Sequence, residues 1–106
     1  TNLHNNSIKC IDTETYPTWN IMKKEKFFVE LTDTFGGEPN YSWVRRYIVT
    51  ASTMRGAVWK VSRDTNLSWH CVADYGDQKR YDSESGATCL FVGQEEGYQH
   101  IPAVEL

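Results

Sequence analysis

Between Tyr41 and Arg63 the chain reads YSWVRRYIVTASTMRGAVWKVSR: an alternating aromatic run leads through a small-residue cap into one short amphipathic stripe. A strand that feeds a single helix constrains the fold strongly, because one helical stripe can be buried only by laying it across a sheet face. In the strand, Tyr41, Trp43, Arg45, Tyr47 and Val49 share one side by the two-residue period, and Ser42, Val44, Arg46 and Ile48 share the other. Ser52 is the expected N-cap, its hydroxyl placed to accept from an orphan backbone N–H, although Arg55 stands where a capping box needs Glu or Gln. Met54, Ala57, Val58 and Val61 then recur at i, i+3, i+4 and i+7 and form the core-facing stripe. The helix is expected to end near Arg63, before the turn Asp64-Thr65-Asn66.

The same alternation runs through Lys26–Thr32, where Phe27, Val29 and Leu31 point one way, so this stretch is read as a first strand. DTFGGEPN follows, and Gly36, Gly37 and Pro39 break it into a hairpin connection of moderate length. After the helix, Leu67–Tyr75 alternates as a third strand. A short fourth lies near Lys79–Ser83, and Ala87–Val92 is apolar on both faces, as a central strand is. The expected order is β-β-α-β-β-β, an α+β two-layer sandwich with one helix on a small antiparallel sheet. At 106 residues the chain holds one core and buries roughly two-thirds of its extended surface. Residues 1–25 are expected as an irregular arm, 26–94 as the domain and 95–106 as an irregular tail with Ile101, Val104 and Leu106 docked on the sheet.

Cys10, Cys71 and Cys89 are odd in number and widely spaced, which points to reduced thiols and a reducing compartment. No apolar run is long enough to span a bilayer, and TNLHNNSIKC has no signal-peptide layout, so a soluble cytoplasmic protein is expected. Asn-x-Ser matches at Asn5, Asn40 and Asn66 are discounted for want of a secretory signal.

The segment 41–63 also holds five of the eleven basic side chains and none of the fourteen acidic ones, so positive charge is concentrated there although the net charge is −3. With Met54 at 0°, Arg55 falls at about 100°, Trp59 at about 140° and Arg63 at about 180°, opposite the core stripe. An indole flanked at i−4 and i+4 by guanidinium groups suits a partner-binding face; the plain alternative packs Trp59 on a sheet edge or under the arm. Gly56 lies away from the core at about 200°, where another chain or the arm could approach the backbone. Phe35, at the first hairpin tip, either joins the partner-binding set or folds back over its own hairpin. The row Tyr41, Trp43, Arg45, Arg46 and Tyr47 is the composition of a nucleic-acid-binding strand, provided that it faces away from the helix.

Catalytic and metal chemistry find no convergent set. His70 and Cys71 are adjacent in a strand and point to opposite faces, and Cys89 and His100 supply no ligand spacing, so no metal or cofactor is expected. His70 and Asp74 lie roughly 13 Å apart along a regular strand, too far for an acid–base pair. The FGG tip lacks the further glycines and the helix of a phosphate loop.

The string LTDTFGGEPNYSWVRRY, followed by a strand, a small-residue cap and a short helix, resembles small uncharacterised proteins encoded in bacteriophage and related mobile-element genomes, over roughly residues 27–92. The resemblance implies expression in a bacterial host's cytoplasm and an accessory or host-interacting role. The expectation from the residues is a non-enzymatic interaction module that binds a protein partner or itself. A nucleic-acid binder is the alternative.

Overall fold

The computed structural model describes residues 24–106. Strands β1 (Glu25–Phe35) and β2 (Glu38–Ala51) form a long antiparallel hairpin in which Phe27 pairs with Val49 and Val29 with Tyr47. All four side chains are buried on one face, as the alternation requires. The connection is a tight one, shorter than expected: Gly36 (φ 62) and Gly37 (φ 84) occupy the left-handed region at both central positions, the backbone that lets two residues join twisted strands.

Helix α1 (Met54–Thr65) follows β2 and lies over β1, β2 and β5. Its cap is Thr53, one residue beyond Ser52, with the Thr53 hydroxyl accepting from the Gly56 N–H at 2.9 Å. Asn66 ends it in the left-handed conformation (φ 59), donating its N–H to the Ser62 carbonyl at 2.8 Å. Ala57, Val58 and Val61 are buried and Met54 packs at the rim of the core. Each large apolar side chain so covered contributes about 1.5–3 kcal/mol. Strands β3 (Trp69–Asp74), β4 (Gln78–Ser83), β5 (Thr88–Gly93) and β6 (Ala103–Glu105) complete one six-stranded sheet in the order β3-β4-β5-β1-β2-β6. β5 is central, which explains its two apolar faces.

The α+β architecture stands, with two corrections. The sheet is mixed, since β6 runs parallel to β2 while the other neighbours are antiparallel. The tail expected to be irregular contains that strand. Leu106 closes it, donating to the Ile48 carbonyl at 3.0 Å and accepting from the Thr50 N–H at 3.2 Å, and it packs against the core. Val104 remains exposed. The expected N-terminal arm lies outside the described residues except for Lys24 and Glu25, which opens β1.

On the face away from α1, residues 94–102 cross the sheet as a strap. Arg46, only 4% exposed, holds it: one guanidinium nitrogen donates to the Ile101 carbonyl at 2.6 Å and the other to Glu96 Oε2 at 2.7 Å. Gly97 passes so close to Glu30, the register partner of Arg46, that a Cβ there would meet Glu30 Oε2 at 2.6 Å. Nearer the hairpin tip the β1–β2 register shifts between Thr32 and Thr34, and Tyr41 adopts φ 56. The Thr32 hydroxyl bridges the gap, accepting from the Tyr41 N–H at 3.0 Å and donating to the Trp43 carbonyl at 2.8 Å. Asp33 accepts from the Ser42 hydroxyl at 2.5 Å, from Asn40 at 2.8 Å and from the Ser42 N–H at 3.0 Å. These hydrogen bonds, Ser42 first, hold the Asp33 carboxyl far below the usual carboxylate range.

Candidate functional site

The outer face of α1 is the surface the helical spacing picked out. Arg55, Trp59 and Arg63 are all exposed there, and Trp59 at 62% excludes the reading in which the indole is packed away. The Arg63 guanidinium carbon stands 5.0 Å from the centre of the Trp59 ring, a cation–π distance. Beside this row runs a groove of about 210 Å³ lined by Arg55, Val58, Trp59, Ser62, Trp69 and Tyr81. Trp69 of β3 supplies the opposite wall, its indole N–H donating to the Thr65 hydroxyl at 3.3 Å. Sequence reading missed Trp69 as a site residue. Its two-residue alternation assigned it to a strand face without saying that α1 would stop short of β3.

Phe35 is 80% exposed at the hairpin tip, so it does not fold back. The structure does not bring it to the helix row. The neighbouring Gly37 carbonyl accepts from Arg80 at 2.8 Å, and Arg80 points away from α1 because its neighbour Tyr81 lines the helix-side groove. The two exposed aromatics therefore belong to different surfaces.

The nucleic-acid row is dismantled by the same geometry. Tyr47 is fully buried beneath α1 and donates to Asp64 Oδ2 at 3.0 Å, and burial pushes its phenol up. Arg46 is buried on the opposite face and bonded to the strap. Arg45 is exposed and hydrogen-bonded to Tyr47, which holds its guanidinium above its ordinary range. Trp43 is 44% exposed. Tyr41 leaves the row altogether, because its positive φ breaks the alternation and sets its ring 6.2 Å from Tyr98 of the strap. Tyr98 in turn lies 6.0 Å from His100. No local signal in the sequence places Tyr98 beside Tyr41.

The cysteines need a correction. Cys71 is disulfide-bonded, and Cys89 is free and buried. The expectation of three reduced thiols rested on the odd count, which leaves room for one bridge and one spare sulfur. Burial pushes the Cys89 thiol up, so it is a poor nucleophile. The four imagined ligands do not converge: His70 and Cys71 alternate across β3, Cys71 is bonded, and Cys89 lies within β5 whereas His100 lies in the strap. Among the described residues no group of three His, Cys, Asp or Glu could hold a metal ion, and no helix is long and apolar enough to cross a membrane.

Comparison with protein-family models, curated proteins and solved structures finds no match.

Proposed function

We propose that this chain is a non-enzymatic interaction module that binds a protein partner through the outer face of α1, with Trp59 as the anchor and Arg55 and Arg63 beside it. The observation that carries the reading is a tryptophan 62% exposed on a short helix and covered on one side only by an arginine. Leaving a large apolar ring in water costs solvation free energy, and tryptophan with arginine is the composition that dominates binding hot spots. Phe35, on a separate surface, is a second contact in this reading rather than part of the same anchor.

An accessory role in a bacteriophage or mobile element, acting on a protein of the bacterial host, is the setting that the sequence resemblance implies. Cytoplasmic residence is part of that proposal, and the bonded Cys71 weighs against it, since disulfides persist mainly in oxidising compartments. The nucleic-acid alternative loses support because two members of its strand, Arg46 and Tyr47, are buried.

The test is capture of partners from nuclease-treated bacterial lysate by the unaltered protein and by Trp59→Ala. Binding should weaken by at least about 2 kcal/mol. Stability should change by at most about 1 kcal/mol, because most of the ring is already in water. A Trp59→Ala protein that unfolds more easily yet retains its partner would overturn the proposal.

A further inference from the structure

The Asn-x-Ser triplets that begin at Asn5, Asn40 and Asn66 take no part in the α1 row, and the fold sorts them. Asn5 lies outside the described residues. Asn40 is worked into the hairpin: its side-chain amide donates to Asp33 at 2.8 Å, and the hydroxyl of Ser42, the last residue of its triplet, donates to the same carboxylate at 2.5 Å. A sugar on that amide would crowd a carboxylate that the hairpin uses. Asn66 is built differently. Asn66, Leu67 and Ser68 are all exposed, and among the described residues the Asn66 side-chain amide makes no hydrogen bond. The backbone beneath it is fixed throughout. The Asn66 N–H donates to the Ser62 carbonyl at 2.8 Å, the Ser62 hydroxyl donates to the Leu67 carbonyl at 2.6 Å, and the Ser68 carbonyl accepts from the Glu84 N–H at 3.1 Å.

Beside this turn lies an open recess of about 370 Å³ lined by Asn66, Leu67, Ser68, Ser83, Glu84 and Ser85, within the ~300–1,000 Å³ of a small-molecule pocket. Serine hydroxyls and a carboxylate are groups that pair with the hydroxyls of a sugar. Leu67, 41% exposed, supplies apolar surface that the C–H face of a sugar ring would take out of water. An Asn-x-Ser triplet is modified only where a glycosyl donor and its transferase meet the chain, on the secretory side of a membrane. Cys71, in the strand that the triplet leads into, is disulfide-bonded. That bond is independent of the triplet, and it marks an oxidising compartment of the same kind.

We propose that Asn66 is an N-glycosylation site whose first sugar rests in the recess formed with Ser68, Ser83 and Glu84. The donor class is an oligosaccharide joined to a polyprenyl diphosphate. In the transfer a bond forms between Asn66 Nδ2 and the anomeric carbon, and the bond from that carbon to the diphosphate oxygen breaks. The lipid diphosphate leaves with the electron pair, and one amide proton passes to a base of the transferase. This goes beyond the reading of the α1 face and does not rest on it. It sets the chain in the oxidising compartment that the bonded Cys71 favours, in place of the cytoplasm.

The experiment directs the full chain to the secretory compartment of cultured eukaryotic cells by an added leader and follows it by intact mass and peptide mapping. A glycan is expected on Asn66, lost in Asn66→Gln and in Ser68→Ala and retained in Ser68→Thr, since the triplet accepts either hydroxyl. Circular dichroism of the Ser68→Ala chain should match that of the unaltered chain, which separates loss of the acceptor from loss of the fold. Cys71 in the same material should resist alkylation until it is reduced. Protein trimmed back to the first sugar should denature at a higher midpoint than protein made while synthesis of the lipid-linked donor is blocked. An unmodified Asn66, a glycan that survives Ser68→Ala, or a Cys71 alkylated without reductant would overturn the proposal. A midpoint that the first sugar does not raise would overturn its seating in the recess.

Discussion

Replacing Arg46 with alanine removes the clamp that holds residues 94–106 to the sheet, and its cost can be worked from the contacts. Two hydrogen bonds from a charged donor are lost, to the Ile101 carbonyl and to Glu96; at about 1.5–3 kcal/mol each, the gross loss is about 3–6 kcal/mol. The Glu96 side chain is 37% accessible and regains water when released. The folded state also no longer buries a guanidinium group, so the net cost should fall to about 2–4 kcal/mol. Glu30 makes recovery incomplete, because it faces Arg46 in register and loses the cation that pulls its carboxyl down. Urea denaturation measures the total, and hydrogen exchange of the Val104, Glu105 and Leu106 amides locates it. Arg45→Ala is the control, since that neighbour is exposed and should cost less than about 1 kcal/mol. A loss below about 1 kcal/mol for Arg46→Ala, with unchanged protection at the C-terminal amides, would refute the clamp.

Three further outcomes are expected. Val58→Asp should cost several kcal/mol, about 3 or more, by placing a charge in the core beneath α1, and an unchanged denaturation midpoint would reject that packing. Burial raises the Glu30 carboxyl above 4.5 despite the pull of Arg46. The folded state therefore binds more protons than the unfolded one just above that pH, and stability falls as pH rises through that window. Glu30→Gln should raise the melting temperature at neutral pH and leave it unchanged below about pH 4; a lower melting temperature at neutral pH would mean that the Arg46 attraction outweighs burial. Gly97→Ala should destabilise the strap by forcing a Cβ against Glu30, and the same change in a Glu30→Ala background should cost less. A coupling below about 0.5 kcal/mol in that double-mutant cycle would show that the two do not touch.

How much could be read from the sequence depended on whether the deciding interactions were local. The alternation of Phe27, Val29 and Leu31 and the stripe Ala57, Val58, Val61 specify buried faces through fixed periods, so the strand–strand–helix order was legible. The cap moved by one residue because Ser52 and Thr53 are both competent hydroxyls, and only the helix-to-sheet geometry chooses between them. β6 was not legible. Three residues carry no periodic signal, and the strand follows a strap whose Ile101 is held by Arg46, fifty-five positions away along the chain. The hairpin failed for a different reason. Alternation assumes a regular strand, and Tyr41 breaks it with a positive φ that tyrosine rarely adopts. Only the cluster Asp33, Asn40 and Ser42, polar side chains able to replace backbone ladder bonds, hinted at the irregularity.

The basic segment illustrates the same division at the site itself. Its charge was legible as composition, but the fold assigns the five cations to different tasks. Arg46 is buried in the clamp, and the Lys60 ammonium donates to the Thr50 carbonyl at 2.6 Å beside the edge of β2. Arg45, Arg55 and Arg63 remain at the surface. Of these, Arg55 and Arg63 share a helix face with an exposed indole, a placement that follows from four-residue spacing alone. Helical spacing fixes which side chains are neighbours without reference to the rest of the fold, so the α1 row survived the passage from sequence to structure. The β2 row did not, because strand alternation fixes only a side of the sheet, and what covers that side comes from distant chain: α1 over Tyr47 and the strap over Arg46.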